Sequence, residues 1–76
     1  MDIKTVGVIG AGQMGNGIAH VMALAGYDVT LNDLSQDALT AALAKIEKNM
    51  VRQVSRNLIT EADMQAGLAR ISPALD

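Results

Sequence analysis

Three glycines, Gly10, Gly12 and Gly15, stand in the stretch Gly10-Ala11-Gly12-Gln13-Met14-Gly15-Asn16-Gly17. This spacing does chemistry only in a particular setting. A strand must make a tight turn into a helix, so that the unpaired N–H groups of the helix start converge where a pyrophosphate can sit. The setting is present. The β-branched run Thr5-Val6-Gly7-Val8-Ile9 precedes the glycines, and a helical pattern runs from Gln13 to Ala25. Gly10 permits the turn, Gly12 lets the backbone approach phosphates, and Gly15 lets the helix pack closely on the strand. An ordinary βα turn is the alternative reading. Met14 lies inside the turn, either against a cofactor or as a hydrophobic plug.

Asp33 is the second signal. It follows the next strand and lies 23 residues after Gly10, near the spacing of about 20 at which an acid binds the adenosine ribose of a dinucleotide. A carboxylate there accepts from ribose hydroxyls and repels a 2′-phosphate. Leu34-Ser35-Gln36 holds no Arg to neutralise such a phosphate, so NAD is favoured over NADP. A helix-capping role for Asp33 is the competing reading.

The third signal is a strip of cations. Lys45, Lys48, Arg52 and Arg56 are spaced by three, four and four residues, which puts them within roughly an 80° arc opposite the Leu39–Ile46–Met50 stripe. A solvated face is the plain explanation. A strip for a second anionic ligand, such as coenzyme A, is the functional one. Nucleic acid is not expected, because no aromatic residues interleave the charges. His20 reads as a surface or partly packed histidine without a nearby partner in sequence, and Met22 and Met50 read as core. No Ser-His-Asp arrangement, metal cluster or carboxylate pair is apparent. The chain supplies a holder and no evident catalyst.

Positioning these residues requires a regular set of elements. A first strand is expected from Ile3 to Ile9, its apolar character suiting a parallel strand covered on both faces. The next helix carries Ile18, Val21, Met22 and Ala25 as a stripe for packing on a sheet, with Gly26 as its left-handed C′ residue. Tyr27 to Asn32 forms a second strand, with Val29 and Leu31 on one face. Ser35 starts a second helix, and Leu39, Leu43, Ile46, Met50, Val54 and Leu58 carry it to about Asn57. Thr60-Glu61-Ala62-Asp63 resembles a capping box and opens a third helix, Glu61 to Ala69. Arg70-Ile71-Ser72 begins a third strand bounded by Pro73. The fold class is therefore α/β, a partial Rossmann arrangement of βαβαα form belonging to a doubly wound parallel sheet. The third strand is only beginning as the sequence ends, so the chain reads as the opening piece of something longer.

Composition sets outer limits. Seventy-six residues make at most one small domain, 50% hydrophobic, with Tyr27 the single aromatic and a net charge of −2. There is no Cys to form disulfides and one His, so no metal site is expected. No signal peptide or membrane-spanning segment is read, so a cytoplasmic location and no membrane partner are expected.

Val6-Gly7-Val8-Ile9-Gly10-Ala11-Gly12-Gln13-Met14-Gly15-Asn16-Gly17-Ile18-Ala19 resembles the amino terminus of the L-3-hydroxyacyl-CoA dehydrogenases, especially the bacterial 3-hydroxybutyryl-CoA type. Gly-x-Gly-x-Met-Gly is shared with the 6-phosphogluconate and 3-hydroxyisobutyrate dehydrogenases. More specific is the helix–turn–helix before the third strand, from Ala42-Leu43-Ala44-Lys45-Ile46 through Ile59-Thr60-Glu61-Ala62-Asp63 to Leu68-Ala69-Arg70-Ile71. The resemblance covers essentially the whole chain. It implies that Gly10, Ala11, Gly12, Gln13, Met14 and Gly15 bind the NAD pyrophosphate and Asp33 the adenosine ribose. It also implies that the insert faces the acyl-CoA substrate, with Asn49 and Arg56 where relatives often carry a Ser and a Lys, and Arg52 one turn away. No catalytic residue is carried over, because the family's His–Glu pair lies further along a longer, usually dimeric protein.

The expectation is thus the NAD-binding segment, residues 1–76, of a 3-hydroxyacyl-CoA dehydrogenase of fatty acid metabolism. The isolated chain is expected to be inactive. Two rivals stand beside it: another Gly-x-Gly-x-Met-Gly dehydrogenase, which would lack the two-helix insert, and a non-catalytic dinucleotide-binding or self-associating fragment.

Overall fold

The computed structural model describes residues 5–75, and the expected strand start at Ile3 lies outside the described residues. In chain order the elements are β1 (Thr5–Ile9), α1 (Gln13–Leu24), β2 (Asp28–Asp33), α2 (Gln36–Ser55), α3 (Glu61–Ala69) and β3 (Ile71–Leu75). The strands form one sheet in the order β1-β2-β3, and both pairings are parallel. The βαβαα pattern is thus present, two-helix insert included.

Register explains the core. Val8 lies opposite Leu31, and Val29 opposite Val6 and Ile71. Side chains alternate across a strand, so these residues share the face on which the helices lie. Val8, Val29, Leu31 and Ile71 are buried there with Leu39, Ala42, Ile46 and Met50 of α2. The three helices contact one another, and the molecule measures 35 × 33 × 18 Å. A thickness of 18 Å is one sheet plus one helix layer of about 10 Å. The expectation that β1 is covered on both faces is therefore corrected: a single helix layer covers one face, and Ile9 is 89% exposed.

The packing face of α1 also differs from the expected stripe. Ala19 and Ala23 are fully buried, whereas Val21 is 65% exposed and Ile18 and Ala25 also face outward. Small residues won because α1 sits close to β1 and to its helix neighbours, and larger side chains on that face would not fit. Gly67 shows the same constraint on α3, since a Cβ there would meet Leu24 Cδ2 at 3.1 Å.

Helix ends follow local rules. Ser35 Oγ accepts from the Ala38 amide at 3.2 Å. The Thr60–Asp63 capping box is complete, with bonds of 3.0 and 3.1 Å. Gly26, with φ of 103°, closes α1 as expected. The predicted end of α2 near Asn57 is corrected to Ser55. Asn57 adopts φ of 59°, and the Leu58 amide reaches back to the Gln53 carbonyl at 2.9 Å, a Schellman-type stop. That stop turns Leu58 away from the helical stripe and leaves it exposed.

Pro73 does not bound β3 but lies inside it, opposite Leu31. The Val29 amide donates to the Arg70 carbonyl at 2.8 Å, so the even-numbered residues of β3 turn their backbone groups toward β2 and Pro73 turns outward. Its missing N–H falls on the free edge, where no ladder bond is lost. Arg70 also anchors the helix layer, its Nη1 donating to the Ala23 carbonyl at 2.9 Å in the last turn of α1.

Ile46→Ala should cost about 2–5 kcal/mol through the cavity it opens. Leu58→Ala should stay within about 0.5 kcal/mol. Urea unfolding followed by circular dichroism separates the two.

Candidate dinucleotide site

The site begins where β1 ends. The Gly10 amide donates to the Asn32 carbonyl at 2.7 Å, so the chain leaves the sheet still tied to β2. Gly10 then takes φ of 92°, a value that L side chains rarely adopt. Gly12 is the N-cap of α1, without a side-chain cap bond, and a Cβ on it would point into open space. Gly15 is the opposite case. Its Cβ would fall directly on the Gly10 carbonyl oxygen and within 3.4 Å of Val8 Cγ1, so only glycine allows α1 this close to β1.

The Asn16 amide bonds back to the Gly12 carbonyl at 2.8 Å, which closes the first helical turn. The preceding amides have no intrahelical acceptor, and they carry the positive end of the helix dipole. An anion of phosphate size is the chemistry such an end recognises. Met14 is 80% exposed and forms a wall of the open groove rather than an inward plug. The Gln13 side chain lies outside the described part of the structure.

Asp33 unites the loop with α2. Its Oδ2 accepts from the Ala11 amide at 2.8 Å, and its Oδ1 from the Ser35 amide at 2.9 Å. The Ala11 amide, then that of Ser35, hold its carboxyl below the ordinary value of 3.8. Asp33 thus bonds to both elements at once. It braces the start of α2, and it stands ionised beside the glycine turn with further acceptor capacity on each oxygen. Buried Ala11 contributes packing, and its N–H is already engaged.

The basic strip divides. Lys45, Lys48, Asn49 and Arg52 line one groove on the outer face of α2. Arg56 is the C-cap of that helix and lies beyond the groove. Lys45 also lines a second cleft, between α2 and the Ala11–Gly12 turn.

Local sequence reading missed three contacts. Asn16 is 5% exposed and donates through Nδ2 to the Ala42 carbonyl at 3.1 Å. His20 Nε2 lies 2.7 Å from Gln53 Oε1, and the third is the Arg70 bond to the Ala23 carbonyl. Their partners lie 26, 33 and 47 residues away, so no local pattern announces them. Among the described residues no group of three His, Cys, Asp or Glu could hold a metal ion. Among the same residues, no helix is long and apolar enough to cross a membrane.

A parallel strand–glycine turn–helix with an acid closing the next strand defines a Rossmann-type dinucleotide-binding fold. Residues 5–76 match the family profile "3-hydroxyacyl-CoA dehydrogenase, NAD binding domain", and the chain belongs to that family. A 3-hydroxybutyryl-CoA dehydrogenase of Bradyrhizobium diazoefficiens is 60% identical over 72 residues, covering 95% of this chain and 25% of the relative. A protein of the same description from Mycobacterium tuberculosis is 40% identical over 97% of this chain and 26% of its own length. The crystal structure of 3-hydroxybutyryl-CoA dehydrogenase from Escherichia coli K12 superposes with a TM-score of 0.95 at 39% identity, covering all of this chain and 16% of that one. The chain spans about a quarter of the length of the first two relatives.

Because the Asp33 carboxyl is held below 3.8, the stability it confers is complete above that ordinary value. It is lost as pH falls through the lowered one. The Ala11 and Ser35 amide resonances should shift together in an NMR titration below pH 3.8, and Asp33→Asn should abolish the shared transition.

Proposed function

We propose that this chain is the amino-terminal, NAD-binding segment of a 3-hydroxyacyl-CoA dehydrogenase acting on 3-hydroxybutyryl-CoA or a close homologue. The observation that carries the reading is Asp33, ionised and locked onto the glycine turn by the Ala11 amide. The residues present fit the cofactor. The first-turn amides of α1 have no intrahelical acceptor, a Cβ on Gly12 would meet nothing within 4 Å, and Asp33 ends β2, the position from which the acid of such folds binds a ribose. NAD, when bound, supplies the hydride-accepting ring. This chain's own residues bind and orient it, and Asp33 disfavours a 2′-phosphate through charge repulsion. Gly10, Gly12, Gln13, Met14 and Gly15 form the phosphate loop in this proposal, with Ala11 as its packed base.

The groove formed by Lys45, Lys48, Asn49 and Arg52 supports a role in holding the phosphates of an acyl-CoA, with Arg56 as a further cation at the helix end beyond it. Catalytic proton transfer falls to residues outside these 76, so the chain alone is inactive in the proposal. It works as one part of a cytoplasmic, oligomeric enzyme of fatty acid metabolism.

A second reading rests on one observation. Ile9, Met14, Ile18 and Val21 form an exposed apolar band along the open side of β1 and α1. Such a band favours self-association of the isolated chain, which light scattering over a concentration series would reveal.

Fluorescence titration should show NADH binding on the order of tenfold more tightly than NADPH, a difference of about 1.4 kcal/mol. Asp33→Asn should narrow that gap. Equal affinity of the unsubstituted chain for both cofactors would mean that Asp33 does not discriminate between them.

A further inference from the structure

The two ligand-facing helices meet through side chains as well as through the core. α1 begins at the glycine turn, and α2 carries the basic groove on its outer face. Asn16 joins them near the turn through the Ala42 carbonyl. His20, one turn further along α1, reaches Gln53 near the far end of α2 at 2.7 Å.

The position of Gln53 is what matters. It adjoins Arg52 and lies one turn or less from Asn49 and Arg56. Met50 is the last fully buried residue of α2; beyond it, the inward-facing Gln53 and Val54 are only half-buried, while Val51, Arg52 and Ser55 are exposed. Terminal helical turns open at low cost when few buried contacts hold them. A hydrogen bond from a half-buried histidine on a neighbouring helix restrains such a turn. It does so one residue from a cation whose usefulness depends on where its guanidinium points.

We propose that His20 and Gln53 form a positioning pair that fixes the last turn of α2, and with it Arg52 and Arg56, for the phosphate groups of a coenzyme A ligand. The inference rests on the reading of the basic strip as a coenzyme A surface. The pair touches neither ligand. It acts through the cations, and couples their placement to the helix that starts at the cofactor turn.

The test is a set of NMR titrations of the protein with free coenzyme A and, separately, with NADH, each variant checked by its thermal midpoint. Gln53→Leu and His20→Leu should each weaken coenzyme A binding about fivefold, the worth of one hydrogen bond, with NADH affinity unchanged. His20→Gln places an amide donor within reach of Gln53 and should restore coenzyme A affinity. Arg52→Ala should weaken coenzyme A binding on its own, and adding Gln53→Leu to it should then cost less than in the unsubstituted chain.

If Arg52→Ala leaves coenzyme A binding unchanged, the coenzyme A reading of the strip falls. If Arg52→Ala weakens it while both leucine variants do not, the positioning role is overturned. Equal losses for coenzyme A and NADH, or failure of His20→Gln to rescue, would reduce the pair to a structural contact and also overturn it. Should Gln53→Leu not fold, the contrast between His20→Leu and His20→Gln decides alone.

Discussion

The rest of the structure depends on the contact between Gly15 and the carbonyl of Gly10. A helix whose third residue carried a Cβ could not approach the strand it follows. Because it can, the start of α1 is pinned against the end of β1, and its free amides are aimed at a fixed point. The same approach lets Ala11 sink into the core and present its N–H to Asp33. It also requires Ala19 and Ala23 where a looser packing would take larger residues. Turn, acid and small-residue seam follow from one missing methyl group.

Asp33 joins two elements through one carboxylate. Its two oxygens tie the β1–α1 turn to the start of α2, which makes the glycine turn part of the framework. The amides that do this also keep the carboxylate charged. Preorganisation of the turn and the negative charge beside it then share a cause.

What the sequence made legible was what is encoded locally. The turn at Gly10, the close fit at Gly15, the Ser35 cap, the Thr60–Asp63 box and the left-handed Gly26 each involve residues within a few positions, and each is present as expected. The parallel βαβ units and the two-helix insert follow from the same local signals. Hydrophobic periodicity points to the wrong face of α1 because it rewards large side chains, whereas this helix is packed through alanine. Pro73 looks like a stop in the sequence because proline's conflict with a ladder depends on which way its nitrogen turns, a matter of register with β2. His20–Gln53, Asn16–Ala42 and Arg70–Ala23 are tertiary pairings, and their chemistry exists only once the helices have met. Of the cation strip, one face was legible; that Arg56 caps the helix instead of lining the groove was not.

Pro73 gives the sheet a direction. With no donor on the outer edge of β3 at that position, a further strand laid there would leave an acceptor unanswered. The β1 edge carries no such block, and it runs beside the glycine turn and the Ile9–Met14 band. Growth of the sheet, whether by more of one polypeptide or by a neighbouring molecule, is thereby channelled to the side where the crevice lies. A strand arriving there would reverse the order of the sheet, and such a reversal is where ligands of open α/β sheets are held. One imino acid at the rim helps decide on which side of this molecule a binding cleft can be completed.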